Sequence, residues 1–526
     1  MSSQRVAVCQ VSDLQVGEMQ QVSAFDREIL LTRTEGGFSA IAAHCSHYGA
    51  PLVKGVMQGD RIICPWHNAC YEAATGKQLE PPGRDNLAQY AVQVDGDTVY
   101  IEPPVPESEH LTPEMAKPDS QAEQTFAIVG GGAAGCAAAE MLRQIDFQGR
   151  IVMLTADSEL PYDRTKLSKA ALQSDEFAGP DLLRPASFYE QHGIEVKTAA
   201  KVSQLDVDSQ QLTYGDGETL SYDALLLATG GKVRKIPVDG ADRPNVFTLR
   251  QSEDTRAILQ AAQNAQKAVI IGSGFIGMEV AASLKQQGLD VTVVAPDEVP
   301  FEKVLGRSVG KMFQQVHESN GVQFKLGCKA EAFKGEGSVE AVELDNGETV
   351  PADMVVVGIG VQPATDFVEG IELSESDRSI PVDQYLQAAP NVYAAGDIAQ
   401  FPHFMTGEPV RIEHWRLAMQ HGRIAACNMV GQTVPFKAVP FFWTGQFDLK
   451  LRYVGHAEDF DDVIIQGSLE EKSFLAFYAK AGQVLAVSGI GRDQEIAAIS
   501  ELMRLQQMPD TTAIKEADID WAERLK

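Results

Sequence analysis

Near the N-terminus, Cys45-Ser46-His47 and Cys64-Pro65-Trp66-His67 bring two thiols and two imidazoles into one short stretch. Such a set can hold a tetrahedral zinc ion. It can also hold a [2Fe–2S] cluster, with both sulfurs on one iron and both nitrogens on the other. The C-x-H and C-x-x-H spacings let each loop give one sulfur to one iron and one nitrogen to the other. Two glycine turns carry a different chemistry. Gly130-Gly131-Gly132-Ala133-Ala134-Gly135 and Gly272-Ser273-Gly274-Phe275-Ile276-Gly277 are both G-x-G-x-x-G. Glycine permits the tight turn, lets a pyrophosphate reach the backbone, and turns the N-terminus of the next helix toward its charge.

The elements that must position these groups are legible around them. Phe126-Ala127-Ile128-Val129 precedes the first glycine turn and Val269-Ile270-Ile271 the second. Strand, glycine turn and helix in that order predict parallel βαβ units, so the body holds two related nucleotide-binding folds. Residues 1–102 read as short strands, among them Ile29-Leu30-Leu31-Thr32 and Tyr90-Ala91-Val92-Gln93-Val94, which turns at Asp95-Gly96-Asp97 into Thr98-Val99-Tyr100-Ile101. From Pro103 to about Gln124 the chain is rich in Pro, Glu, Ser and Gln and reads as an extended tether. From about Val434, the runs Phe474-Leu475-Ala476-Phe477-Tyr478 and Val484-Leu485-Ala486-Val487 predict a small sheet, with a helix from about Gln494. The expected division is 1–102, a linker 103–124, a first nucleotide-binding domain 125–250 and 376–433, a second nucleotide-binding domain 251–375, and a C-terminal domain 434–526.

Composition narrows the function classes. A chain of 526 residues has room for three or four domains at about 150 residues each. Its 44 basic and 73 acidic side chains give a net charge of −29, which repels nucleic acid and hints at a basic partner. No apolar run is long enough to span a membrane, and the N-terminus shows no signal-peptide core. Seven cysteines, an odd count, do not form a disulfide framework, so the expected compartment is the cytoplasm.

With Gly49-Ala50-Pro51-Leu52 after the first Cys–His pair, Trp66 inside the second and Tyr71-Glu72-Ala73-Ala74-Thr75-Gly76 beyond it, the first hundred residues resemble a Rieske domain over nearly their whole length. The resemblance implies that Cys45, His47, Cys64 and His67 ligate a [2Fe–2S] cluster. Ala50 and Trp66 stand where high-potential members carry a bridging cysteine pair. Ala69 stands where they carry a donor serine, although Tyr71 can still donate to a ligand sulfur. A potential low in the range of about −150 to +300 mV follows. Cys70 reads as a buried small side chain.

The two glycine turns, Leu225-Leu226-Leu227-Ala228-Thr229-Gly230 and Val392-Tyr393-Ala394-Ala395-Gly396-Asp397, taken in this order, resemble the two-dinucleotide flavoproteins, with FAD on the first fold and NAD(P)H on the second. Leu160-Pro161-Tyr162-Asp163-Arg164 and Leu167-Ser168-Lys169 narrow this to apoptosis-inducing-factor-like proteins and the ferredoxin reductases of oxygenase systems. For FAD the resemblance implies contacts from Gly130, Gly132, Ala133, Ala134, Gly135, Arg164, Lys169, Arg250, Gly396, Asp397 and the backbone of Val202. Ala156 replaces the glutamate that usually binds the adenosine ribose, so Asp157 is expected to take that contact. For NADH it implies Gly272, Gly274, Phe275, Ile276, Gly277, Glu279, Lys303 and Gly358. Asp297 or Glu298 supplies the acid that favours NADH over NADPH. Lys169, Glu279, Glu413, His414 and Trp443 are the candidate catalytic residues near the flavin. Trp415 reads as a stacking aromatic or a core residue.

The expected fold is therefore multidomain: an all-β Rieske domain, an α/β flavoprotein with FAD and NAD Rossmann-like folds, and a small α+β C-terminal domain. A disulfide reductase of this architecture needs a dithiol beside the flavin, and Cys136, Cys328 and Cys427 are isolated. The expected activity is NADH-dependent transfer of electrons through FAD to the cluster. From the exposed edge of His47 and His67 they would pass to a one-electron acceptor protein. One alternative is an oxidase or ferredoxin reductase whose cluster only tunes or senses redox state. The other is an apoptosis-inducing-factor-like, NADH-responsive signalling protein with slow oxidase activity. A homodimer through the C-terminal domain is expected by analogy.

Overall fold

The computed structural model describes residues 5–103, 108–174, 176–517 and 519–525. The N-terminal part is all-β. Met19–Ala24, Arg27–Thr34, Gly37–Ala42 and Gln89–Tyr90 form one sheet, and Val56–Gln58, Arg61–Ile63, Cys70–Glu72 and Gln78–Glu80 another. The run expected as one strand from Tyr90 to Val94 is split at Ala91. Gln89–Tyr90 pairs with Gly37–Ala42, whereas Val92–Asp95 forms the expected hairpin with Thr98–Ile101. Both ligand loops emerge at sheet ends: Cys45 and His47 follow Gly37–Ala42, and Cys64 and His67 connect Arg61–Ile63 to Cys70–Glu72.

Each glycine turn joins a buried parallel strand to a helix. Thr125–Val129 leads into α1, Ala133–Gln144, and Lys267–Ile271 leads into α2, Phe275–Gln286. The first sheet runs Ile194–Lys197, Arg150–Leu154, Thr125–Val129, Ala224–Leu227 and Val392–Ala394, all parallel, with Gln387–Ala389 antiparallel at its edge. The second holds five parallel strands with Lys267–Ile271 at its centre. Helix α3, Trp415–Met429, lies so close to α1 that a Cβ on Gly422 would stand 2.0 Å from the Ala134 carbonyl. The C-terminal part is a five-stranded antiparallel sheet covered by α4, Asp493–Arg504, where the helix was expected. Among the described residues, no helix is long and apolar enough to cross a membrane.

The reading of 103–124 as a free tether is corrected. Residues 104–107 lie outside the described residues. His110–Leu111 pairs with Asn86–Leu87, Ala116 N–H donates to the Arg143 carbonyl at 2.8 Å, and Met115 packs on the core around α1. Backbone pairing with both neighbours outweighs a composition that reads as disordered.

The Rieske part is docked as well. Val56, Ile63 and Cys70 belong to one apolar cluster with Phe441, Leu475, Ile496 and Ile499 of the C-terminal part. Around it runs a polar seam. Arg416 of α3, buried at 2% exposure, donates to the Asn68 carbonyl at 3.1 Å, the Pro81 carbonyl at 3.0 Å and the Glu80 carboxylate at 2.6 Å. Arg61 pairs with Glu501 at 3.2 Å, Asn68 with Ser500 at 2.9 Å, and Arg184 with Asp85 at 2.7 Å.

Removing one partner of a buried ion pair leaves the other charge uncompensated. Arg416→Ala should therefore cost about 3–5 kcal/mol in chemical denaturation. Burial works against the Glu80 carboxylate, but the Arg416 and Arg61 guanidiniums hold its pKa down at about 2, below its ordinary 4.5. A depressed carboxyl stabilises the fold above its unfolded pKa and loses that contribution as pH falls through the folded one. Stability should hence drop between about pH 4.5 and 2. In acid titration Glu80→Gln should flatten that part of the curve.

Candidate redox site

The two ligand loops are closed the same way. Cys45 N–H donates to the Ala50 carbonyl and Gly49 N–H returns to the Cys45 carbonyl, both at 2.9 Å. In the second loop, Cys64 N–H donates to the Ala69 carbonyl at 2.8 Å and Asn68 N–H to the Cys64 carbonyl at 3.2 Å. The fifth residue of each loop must be left-handed, and Gly49 (φ 73°) and Asn68 (φ 60°) are residue types that tolerate it.

These loops turn the donors inward in two pairs. Cys45 and Cys64 are both 1% exposed. The Cys45 thiol is held below its usual range by Cys64 and by Tyr71, whose hydroxyl lies 3.2 Å from Sγ, and by backbone N–H groups. The His47 and His67 Nδ1 atoms face each other at 3.0 Å. Burial lowers the His47 pKa to about 4 and pushes His67 well down, which keeps both imidazoles in the neutral form that ligation requires. Among the described residues, no three His, Cys, Asp or Glu side chains converge as they would on one ion. A sulfur pair and a separate nitrogen pair fit a two-iron cluster rather than a single tetrahedral zinc.

The histidine edge does not face outward as expected; this is a second correction. The His67 ring centroid lies 4.3 Å from that of Trp443 and the His47 centroid 5.8 Å from it. Tyr48 stacks on His47 at 3.8 Å and donates to Asp163 at 2.6 Å. The docking seam places the histidines against the strand Phe441–Gln446, a placement that no local sequence signal encodes.

Trp443 in turn lines a cleft of about 740 Å³. Of the residues expected to bind FAD, Gly130, Gly132, Ala133, Ala134, Asp157, Arg164, Lys169, Val202, Arg250, Gly396 and Asp397 line it. So do Gly274, Phe275, Ile276, Glu279, Gly358, Glu413, His414 and Trp415. At the N-caps of α1 and α2, a Cβ on Gly132 or Gly274 would meet no atom within 4 Å, and neither helix has a side-chain cap. Their free N–H groups form a cradle for phosphate. Gly135, Gly272 and Gly277 do not line the cleft but shape its turns. A Cβ on Gly135 would stand 1.9 Å from the Gly130 carbonyl, and on Gly277 2.3 Å from that of Gly272.

Glu279, only 3% exposed, is held by three side chains in the cleft. It takes an ion pair from Lys169 at 2.9 Å and hydrogen bonds from Ser168 and, at 2.7 Å, from Thr444. Asp157 accepts from Arg164 and, at 2.6 Å, from Gln251; Arg250 pairs with Asp397 at 3.1 Å. Burial, with Asp397 nearby, raises the Glu413 pKa, and burial lowers that of His414 to about 3. Arg411, which contacts both Glu413 and the Asp397 carbonyl, was not anticipated, nor was His456 in the cleft wall. Neither belongs to a motif, although Arg411 stands beside the Glu413-His414 pair.

Two expected residues stay outside. Asp297 sits near Ser273 Oγ at 3.5 Å, and Lys303 is exposed on the helix Glu302–Ser319. Phe301 takes the left-handed conformation and stacks on Phe275 at 4.7 Å, so the helix starts with Lys303 toward solvent. The nicotinamide-side expectation for Lys303 is corrected accordingly. None of Cys136, Cys328 and Cys427 lines the cleft, and burial pushes the Cys136 thiol up to about 12.

Residues 124–422 match the Pyridine nucleotide-disulphide oxidoreductase family, which is more than half of the chain. The chain belongs to this family. Within this oxidoreductase, residues 4–91 match the Rieske [2Fe-2S] domain and 441–525 the Reductase C-terminal domain. It is 41% identical over 510 residues to Apoptosis-inducing factor 3 of Homo sapiens, covering 94% of this chain and 83% of that one. It is 34% identical over 374 residues to the 5,5'-dehydrodivanillate O-demethylase ferredoxin reductase subunit of Sphingobium sp., covering 70% and 90%. Its structure resembles the covalent putidaredoxin reductase–putidaredoxin complex with a TM-score of 0.73 and 29% identity, covering 77% of this chain and 99% of that one. This oxidoreductase is a flavin enzyme whose cofactors are FAD, NADH and a [2Fe–2S] cluster.

Elemental analysis of air-protected protein should return about two irons per chain and no stoichiometric zinc. Cys64→Ser should abolish the electron paramagnetic resonance signal of the reduced cluster, while NADH still bleaches the flavin absorbance.

Proposed function

We propose that electrons leave the cleft through Trp443 and enter the cluster at its histidine edge. In line with its family and Rieske matches, the protein moves electrons from NADH through FAD to the Rieske cluster and on to a one-electron acceptor. When bound, FAD would supply two-electron exchange with NADH and one-electron exchange with the cluster.

The chain's own residues supply position. The α1 and α2 N-termini hold the two pyrophosphates, with Arg164, Arg250 and Asp397 on FAD, the Val202 backbone at the adenine and Asp157 at the ribose. Lys169, locked by Glu279, stands at the reactive edge of the flavin, with Glu413 and His414 beside it. Asp297 takes the NADH ribose. We place the domain boundaries at 1–102, 103–124, 125–250 with 376–433, 251–375 and 434–526, with 108–124 packed into the body and Val246–Thr248, ahead of residue 251, paired within the second parallel sheet. A cytoplasmic location accords with seven cysteines that are all free.

The observation that carries the route is the 4.3 Å approach of His67 to Trp443, which also lines the cleft. Anaerobic stopped-flow mixing with NADH, following flavin and iron–sulfur absorbance together, tests it. In the wild-type protein, flavin reduction within milliseconds should be followed by cluster reduction. Trp443→Ala should slow the second step about tenfold, equivalent to ~1.4 kcal/mol of barrier, and Trp443→Phe should recover part of it. Cluster reduction at the wild-type rate in Trp443→Ala would reject the route. Flavin reduction over minutes would favour the signalling alternative.

A further inference from the structure

We propose that electrons leave the cluster at Tyr48, and that a one-electron carrier protein with a basic rim docks on the small apolar patch formed by Tyr48 and Leu182. This rests on the route above, because that route uses the histidine edge for entry. His67 and His47, each only partly exposed, pack against Trp443, and the polar seam and shared apolar cluster hold the Rieske part there. A carrier arriving from solvent therefore meets the histidine edge through a neighbouring group.

Tyr48 offers that contact. Its ring stacks on the ligand His47 at 3.8 Å with planes 17° apart, yet the residue is 37% exposed. Its hydroxyl is anchored on Asp163 at 2.6 Å, so the ring is held rather than free to swing. Among the described residues, the exposed large apolar side chains are Val16, Tyr48, Val94, Leu182, Ile276 and Ile359. Ile276 lines the nucleotide cleft and Ile359 follows Gly358 of its wall. Val16 and Val94 belong to Rieske segments that carry no ligand. Leu182, 42% exposed, bridges to Tyr162, the residue before the Asp163 that anchors Tyr48. Lys166, whose ammonium lies 5.1 Å from the Tyr48 ring centre, pairs with the 63% exposed Asp181 at 2.6 Å and gives the patch a polar border.

A two-residue apolar contact suits a transient redox encounter, the class with interfaces below about 1,200 Å². The net charge of −29 steers a basic carrier toward the surface. Each encounter moves one electron from the reduced cluster to the oxidised carrier. Two encounters discharge the pair that NADH supplies, with no bond made and no proton moved at Tyr48.

The test uses the full chain loaded with FAD and cluster, reduced anaerobically with NADH and then mixed rapidly with oxidised cytochrome c as the basic carrier. Tyr48→Ala and Leu182→Gln should each lower the second-order rate constant about tenfold or more. Tyr48→Phe, which keeps the stacked ring, should retain most of the wild-type rate, and added salt should slow the wild-type reaction. Rates within about twofold of wild type in both Tyr48→Ala and Leu182→Gln would overturn the proposal. If Tyr48→Ala loses the cluster's resonance signal, Leu182→Gln decides. If NADH fails to reduce the wild-type cluster, the entry route falls, and protein reduced with dithionite still tests the exit.

Discussion

Arg416 is the side chain on which the arrangement of the two halves turns. Its guanidinium is buried between α3 and the Rieske sheets, where an unmatched charge would be costly. It is matched by one carboxylate and three carbonyls, all but that of Val439 from the N-terminal part. Such a fork accepts only one relative orientation of its partners, since planar guanidinium donors point in set directions. One of those carbonyls belongs to Asn68, inside the second ligand loop. The same contact that joins the halves thus also sets where the histidines point.

The reductase half solves a related problem in its own cleft. Two glycine turns at the ends of two parallel sheets leave helix N-termini uncapped and aimed into shared space. Glu279 then links that space to two segments, the Ser168-Lys169 turn and the strand Phe441–Gln446, through Lys169, Ser168 and Thr444. A carboxylate buried so deeply is tolerable only because every side of it is supplied with a donor.

Much of this was legible in the amino-acid sequence. The Cys–His spacing, the paired glycine turns and the Leu-Leu-Leu-Ala-Thr-Gly and Ala-Ala-Gly-Asp segments are local patterns, and the strands and helices they implied are present. The positions of Glu279 and Trp443 at the cleft followed from resemblance. What stayed hidden was mostly non-local. The packing of His47 and His67 on Trp443 goes with a docking seam in which Arg416 lies hundreds of residues from its partners Glu80 and Asn68. The linker's composition concealed backbone pairing at His110–Leu111, because pairing depends on what lies opposite and not on the segment itself. Lys303 was displaced by a single left-handed residue, Phe301, which a pattern of residue types does not announce.

The near-complete enclosure of Cys45 and Cys64 bears on how the protein is made. With both thiols 1% exposed and the second loop tied through Asn68 to Ser500 of α4, a scaffold delivering iron and sulfide has no approach once the C-terminal part has closed over the loop. Cofactor loading would then precede that closure, and closure by the C-terminal part would seal the metallated centre in place.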